Sequence, residues 1–450
     1  MTSRALFHPD FQPLPYWWEA WRPEPGQVED LPRRTRVAII GAGYAGLSAA
    51  LELARTGIET VVLEAGLPGG GASTRNGGAV SGGVNVGKSF TGGRSRASGE
   101  RRAALLGGAA EAFGLVETLI GREAIACCWE KRGRFVGAFT PAHYRDLEVR
   151  LASLNADAAA DARMLPRSRQ REEIASDYYY GGMVIARAGK LHPALYFKGL
   201  LDACRRHGVP IVAEAAVRRI RHQPVMPADR AWQLGTVRGT IEAAEVVVAT
   251  NGYTGDITPK LKARLVPIAS HIIATEELPD DLARSLIPNG RTISDTPRVL
   301  TYYRMSPDAR RVIFGGRARF TAVDAMVSAP ILHRFMTDRF PELRDARVTH
   351  AWTGNVAFTF DALPHMGQEE GLHYCLGCNG SGIAMMSYLG WQTARKIAGA
   401  ANCPSAFEQD ELPGFPVYRG DPWFLPALGG WFRFRDALDR RRAQAEGGKA

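Results

Sequence analysis

Residues 36–46 read Arg36-Val37-Ala38-Ile39-Ile40-Gly41-Ala42-Gly43-Tyr44-Ala45-Gly46. The run to Ile40 is continuously apolar, as expected of a strand buried on both faces. A glycine turn follows, and Leu47 to Arg55 carries helical spacing, with Gly57 as a C-terminal cap. Thr60-Val61-Val62-Leu63 is a second strand, closed by Glu64. This is a βαβ unit with a GxGxxG turn, and Glu64 lies 18 residues past Gly46, near the spacing of a dinucleotide site. Gly41 makes the tight turn, Gly43 admits a pyrophosphate, and Gly46 permits close helix–strand packing. The helix start at Tyr44 and Ala45 directs N–H groups at phosphate. Glu64 and the adjoining Ala65 are placed to meet a ribose.

Outward from this unit, the whole chain is that of a globular protein. It has 450 residues, with a hydrophobic share of 45 % and a charged share of 23 %, which excludes disordered and fibrous classes. That length predicts more than one core. No apolar run reaches the roughly 18 residues of a membrane span. The net charge is +10, part of it in Arg433, Arg435, Arg440, Arg441 and Arg442. A solvated helix face is the ordinary reading of such a cluster. Neither a recognised fold nor interleaved aromatics support nucleic-acid binding. The first residues lack a signal-peptide pattern, and six cysteines form no disulfide framework. The expectation is a reduced, cytoplasmic protein. Cys375 and Cys378 form a CxxC, but without a second ligand pair no metal site is expected.

Residues 1–35 read as a proline-rich arm anchored by Tyr16, Trp17, Trp18 and Trp21. Gly69 to Gly87 is a glycine-rich loop, either a flexible linker or a close backbone wrap around a ligand; its position just after the βαβ unit favours the wrap, with Ala72, Ser73, Arg75, Asn76, Gly77 and Gly78 at its centre. Helices are expected over 98–122, 143–163, 192–207 and 329–340, and from Gly382 to Lys396. Short strands at 210–213, 217–220 and 246–250 return to the first sheet, bringing Val217 to the site. Segments 265–274, 299–305 and 311–316 predict a second, antiparallel sheet. The expected class is α/β: a Rossmann-like nucleotide domain from 36–90, 184–255 and 347–400, interleaved with an α+β substrate domain from 91–183 and 256–346. Residues 401–450 form a C-terminal extension.

Four ordered segments together resemble the D-amino-acid-oxidase-like family of FAD-dependent oxidoreductases over roughly residues 36–400. They are the βαβ unit with its loop; Thr250-Asn251-Gly252 after a strand; Trp352-Thr353-Gly354 with Thr359–Gly367; and Gly380-Ser381-Gly382-Ile383-Ala384 at a helix start. Within that family the chain is most similar to the γ-glutamylputrescine oxidoreductases, on the Arg75–Gly78 loop, the aromatic arm and the Thr359–Gly367 stretch. The resemblance implies FAD held by these segments, with the last helix start against the flavin, where its dipole favours an anionic reduced ring. It also implies an antiparallel sheet that covers the flavin on the substrate side. Relatives that attach the flavin do so through a histidine or cysteine, where this chain has Arg75-Asn76 and Asn355-Val356; non-covalent FAD is expected.

On the substrate side, Tyr302 and Arg304 share one face of a strand and Tyr303 takes the other. Arg304 is the expected carboxylate partner. His271, Trp352 and His365 complete the candidate catalytic set. No nucleophile triad, HExxH or P-loop lysine appears, so the chemistry is the cofactor's own. The expected reaction is oxidation of a CH–NH bond in a small amine or amino-acid-like substrate. A hydride passes to flavin N5, O2 or another acceptor follows, and the imine hydrolyses. A 2-hydroxy-acid oxidoreductase is the alternative and would need His271 or His365 as a base. A non-catalytic FAD-holding subunit is the other.

Overall fold

The computed structural model describes residues 6–26, 29–82, 99–223, 226, 231–401, 403–409 and 412–447. The glycine-rich stretch past Gly82, the first five residues and the tail from 448 lie outside them.

One sheet grows from the opening βαβ unit. Arg34–Ile40 lies between the parallel strands Thr60–Leu63 and Gly239–Val248, and Ile211–Val212 extends the far edge. The other edge of Gly239–Val248 is shared. Its first half forms a hairpin with Trp232–Thr236, and its last two residues pair with Leu372–Leu376. Side chains from Val37 to Ile40 are buried, as a strand covered by helices on both faces requires. Gly41 then turns at φ 107°, where a β-carbon would sit 2.9 Å from the Ala249 carbonyl. At Gly46 a β-carbon would fall 1.9 Å from the Gly41 carbonyl, so this glycine is what lets helix Tyr44–Arg55 lie on the strand. The same helix packs tightly against Gly382–Ile397, where Ser48 donates to the Ser387 carbonyl at 2.7 Å.

The second sheet has nine strands among the described residues, from Phe7–Gln12 at one edge to Ala162–Leu165 at the other. Most pairs are antiparallel; Phe7–Gln12 with Val348–Thr359 and Thr292–Asp295 with Arg134–Gly137 are parallel. Val348–Thr359 pairs along its length with Leu265–Thr275. It is therefore a strand of this sheet, although the sequence reading groups it with the nucleotide half. Tyr303, Phe314 and Phe340 pack behind the sheet, with Tyr303 stacked on Phe314 at 5.0 Å.

Three expectations need correction. The arm is not only a strap: Phe7–Gln12 is an edge strand, tolerant of Pro9 because edge positions need not donate. The helix expected over 143–163 spans Pro141–Ala158. It ends at Ala159 in the left-handed region, and Ala162–Leu165 is a strand. The helix expected from 329 starts at Ala325, capped by Asp324, whose carboxylate accepts from Met326 N at 2.7 Å; Pro330 lies inside it. Gly99–Arg122 is long and apolar enough to cross a membrane, yet its Leu105, Phe113, Val116 and Leu119 belong to the main core.

Candidate functional site

A single cavity of about 1180 Å³ runs from the βαβ turn, across the helix start at Gly382, to the face of the second sheet.

At the nucleotide end, the Glu64 carboxylate accepts from Ala42 N at 2.8 Å and from Gly66 N at 3.1 Å. Two acceptor oxygens with one backbone donor each keep lone pairs for a ribose. The glycine loop is held from within. Asn76 accepts from Gly78 N at 2.9 Å and donates to the Ser73 carbonyl at 3.0 Å. Ser73 Oγ accepts from Tyr44 N at 3.2 Å. Arg75 donates to the Gly70 carbonyl at 2.9 Å and lies under Trp18, 4.6 Å from its ring centre. Burial holds this guanidinium below its ordinary range. Asn251, itself at φ 44°, accepts from Gly377 N at 3.0 Å and so ties its segment to the turn between strand Leu372–Leu376 and helix Gly382–Ile397.

Helix Gly382–Ile397 begins without a side-chain cap at Ser381. Its first N–H groups are orphan donors, and Gly382, Ile383 and Ala384 line the cavity. Gly380, at φ 85°, has open space where a β-carbon would stand. That helix start therefore faces the cavity with its positive dipole end bare.

Most of the expected cofactor residues meet here. Gly41, Gly43, Tyr44, Ala45, Glu64, Ala65, Ala72, Ser73, Arg75–Gly78, Val217, Thr250, Asn251, Gly354 and Gly380–Ala384 all line the cavity. Gly46 and Gly252 do not. Gly46 serves helix packing, and Gly252 lies against Asn355, 3.2 Å from where its β-carbon would be.

Among the substrate-side candidates, only Tyr302 lines the cavity. Its hydroxyl hydrogen-bonds Ser270 at 2.8 Å, and burial pushes its pKa up to about 12, so it stays a neutral phenol. Arg304 is on the same strand face but is sealed behind the glycine loop. It donates to the Leu191 carbonyl at 2.8 Å and to the Met305 carbonyl at 3.0 Å, with Trp17 across its plane. Trp352 does not line the cavity, and its Nε1 donates to the Arg75 carbonyl at 2.8 Å. His271 is inside the sheet. Its Nε2–H donates to the Thr321 carbonyl at 3.2 Å and its Nδ1 accepts from Thr353 at 2.8 Å, leaving no free lone pair. Burial lowers its pKa. His365 is fully buried against Asp361 at 2.9 Å. Burial, the largest single influence, acts upward on that carboxyl, but the hydrogen bond and charge of His365 with the hydrogen bonds from Leu363 and Thr359 together hold Asp361 below its ordinary value. Neither histidine lines the cavity, so neither is placed to take a proton from a substrate there.

On the side of the nine-stranded sheet, a cation that faces the cavity is Arg317, directly after the Gly315-Gly316 pair. Gly315 leaves room for the Tyr302 ring, whose atoms would be 2.4 Å from a β-carbon. Arg317 donates to the Arg298 carbonyl at 3.2 Å and lies 5.0 Å from the Phe358 ring centre. Burial lowers its pKa to about 10, which leaves it charged at neutral pH. A second guanidinium, Arg134, reaches the cavity wall from its bonds to Ser294 and Ser81. Sequence reasoning passed over both. The signal for Arg317 was the glycine pair before it, which makes space at the end of a strand.

The FAD dependent oxidoreductase profile matches residues 36–396. The chain is 32 % identical over 408 residues to the gamma-glutamylputrescine oxidoreductase of Escherichia coli, covering 89 % of this chain and 93 % of that protein. It is 31 % identical over 392 residues to a probable oxidoreductase, OrdL, of Haemophilus influenzae, covering 85 % and 87 %. In fold it is similar to L-proline dehydrogenase from P. horikoshii (TM-score 0.69, 16 % identity, 84 % of this chain and 98 % of that one). The glycine oxidase of Geobacillus kaustophilus is similar too (TM-score 0.67, 20 % identity, 86 % and 99 %).

Proposed function

The chain belongs to the FAD dependent oxidoreductase family, and from that premise we propose that it oxidises the CH–NH bond of an amine that also carries a carboxylate. It is an FAD-dependent enzyme of amine or amino-acid oxidation; the substrate is the step we add. The observation that carries it is Arg317, a buried guanidinium at the cavity wall beside the Tyr302 phenol. A buried cation of this kind binds a carboxylate through charge-assisted hydrogen bonds. A γ-glutamyl-polyamine fits, since its glutamyl end has a carboxylate and its far end an amine. The relative at 32 % identity is named for one such compound, γ-glutamylputrescine.

The cavity's residues fit FAD. Glu64 has ribose-accepting oxygens to spare, Gly41 and Gly43 leave bare backbone, and the uncapped N–H groups at Gly382 face the same space. When bound, FAD supplies a two-electron acceptor for the hydride on the carbon next to nitrogen. The protein's part is to bind, orient and dry the substrate. Arg317 anchors the carboxylate, Tyr302 offers a neutral hydroxyl fixed by Ser270, and Phe358 and Ile268 supply apolar wall. A neutral amine needs no dedicated base, in keeping with His271 and His365 outside the cavity lining. We take FAD to be non-covalent, O2 to be the acceptor, the compartment to be cytoplasmic, and the two sheets to be the nucleotide and substrate halves.

The test is aerobic turnover of matched compounds, with the carbonyl product and peroxide both measured. γ-Glutamylputrescine is expected to yield an aldehyde, ammonia and peroxide. A 2-oxo acid formed from a 2-hydroxy acid, without amine turnover, would overturn the proposal.

A further inference from the structure

The C-terminal helix Leu425–Gly447 docks by one face and leaves the other bare. On the docked face Phe432 meets Phe320 at 5.7 Å between ring centres. Asp436 accepts from Val299 N at 2.9 Å and pairs with Arg298, and Arg440 donates to the Phe139 and Tyr178 carbonyls. This anchoring fixes which side points outward.

The outward stripe runs through Ala427, Trp431 and Phe434 at helical spacing, with Trp423 just before the helix. Trp423 is 78 % exposed, Trp431 52 % and Phe434 58 %. The Trp431 and Phe434 rings lie 5.8 Å apart, and Arg435 sits over Trp431. Arg433, Arg435, Arg441 and Arg442 flank the stripe, and among the described residues none has a carboxylate within ion-pair distance. Burial, then the nearby charge of Arg319, hold the Arg433 guanidinium below its ordinary range. Like charges are thus gathered beside exposed aromatic rings, with no paired carboxylate among the described side chains.

We infer that this face docks on an anionic phospholipid surface. Tryptophan has an apolar body and a polar edge, which suits the boundary between headgroups and acyl chains. Arginine meets lipid phosphate through paired N–H donors, and its attraction adds to the apolar burial. A second copy of the chain fits poorly, because a two-fold contact through this stripe would set arginine against arginine. The net charge of +10 favours the same partner.

The test uses the FAD-loaded enzyme and vesicle flotation. One set of vesicles is phosphatidylcholine alone; the other includes about one-third phosphatidylglycerol. The wild type is expected to float with the anionic vesicles, to stay behind with the neutral ones, and to be released by high salt. Arg433→Gln with Arg435→Gln, and separately Trp431→Ser with Phe434→Ser, are each expected to lower the partition by about tenfold or more. Flavin absorbance and turnover of soluble substrate should stay at wild-type values in both. Absence of flotation with anionic vesicles, or undiminished flotation of both variants, would overturn the inference. So would a wild-type dimer that the Trp431→Ser, Phe434→Ser variant turns into a monomer, since the face would then belong to a second copy.

Discussion

Trp352 Nε1 donates to the Arg75 carbonyl at 2.8 Å, joining a strand of the nine-stranded sheet to the glycine loop of the nucleotide half. Trp17 makes a matching bond from the N-terminal arm to the Asn76 carbonyl, also at 2.8 Å. Two indoles therefore hold adjacent peptide units of one loop. Trp352→Phe keeps the packing and removes the donor, which leaves a buried carbonyl without its partner at a cost of about 1–3 kcal/mol. We expect FAD affinity to weaken by about tenfold, measured by titrating apoprotein with FAD. Unchanged affinity would show that the loop holds its shape without this bond.

Two arginines on the substrate side should separate cleanly. Arg317→Gln should lower kcat/KM for a carboxylate-bearing amine by about 100-fold, mostly through KM, since losing a buried charged donor costs about 2–3 kcal/mol. Arg304→Gln should leave KM near the wild-type value and lower the melting temperature by a few degrees, because Arg304 serves the Leu191 and Met305 carbonyls. Steady-state kinetics with thermal melts distinguishes them; a large KM rise in the Arg304 variant would reverse the assignment.

Acid should unfold the protein partly through His192. Its Nδ1 accepts from Leu195 N at 3.3 Å, capping helix Pro193–Arg206. Burial, and then the charge of Arg304, lower its pKa from 6.5 to about 4. Between those values the unfolded chain binds a proton that the folded chain does not. The stability is present above pH 6.5 and is lost as pH falls towards 4, by about 3 kcal/mol. His192→Asn keeps a capping side chain that does not titrate. Its melting temperature should fall less steeply than the wild type's over this window; equal slopes would remove His192 from the account.

The flavin should leave with the solvent. Neither a histidine nor a cysteine stands at Arg75-Asn76 or Asn355-Val356. Acid precipitation of the purified enzyme should release yellow FAD into the supernatant. Colour retained in the pellet would mean a covalent bond.

The βαβ turn was legible because its constraints are local. At Gly41 and Gly46 backbone passes where a β-carbon would stand, and those glycines are visible as spacing. The side chains of the nine-stranded sheet are sorted by depth, which alternation along a strand does not report. Tyr302 and Arg304 share a face as read, yet the loop at Gly78 closes over Arg304 and leaves Tyr302 open. Arg317 could not be ranked above the other arginines until the glycines beneath Tyr302 were seen to open space at that strand end. The edge strand Phe7–Gln12 was hidden because its partner, Val348–Thr359, lies more than 300 residues away.

The central claim is that this cavity presents the CH–NH carbon of a carboxylate-bearing amine to FAD. Anaerobic mixing with γ-glutamylputrescine, followed in the flavin's visible bands, tests it most directly. The bands should bleach in a single saturable phase with the amine and persist with a 2-hydroxy acid of similar size. Bleaching by the hydroxy acid, with the amine inert, would contradict it.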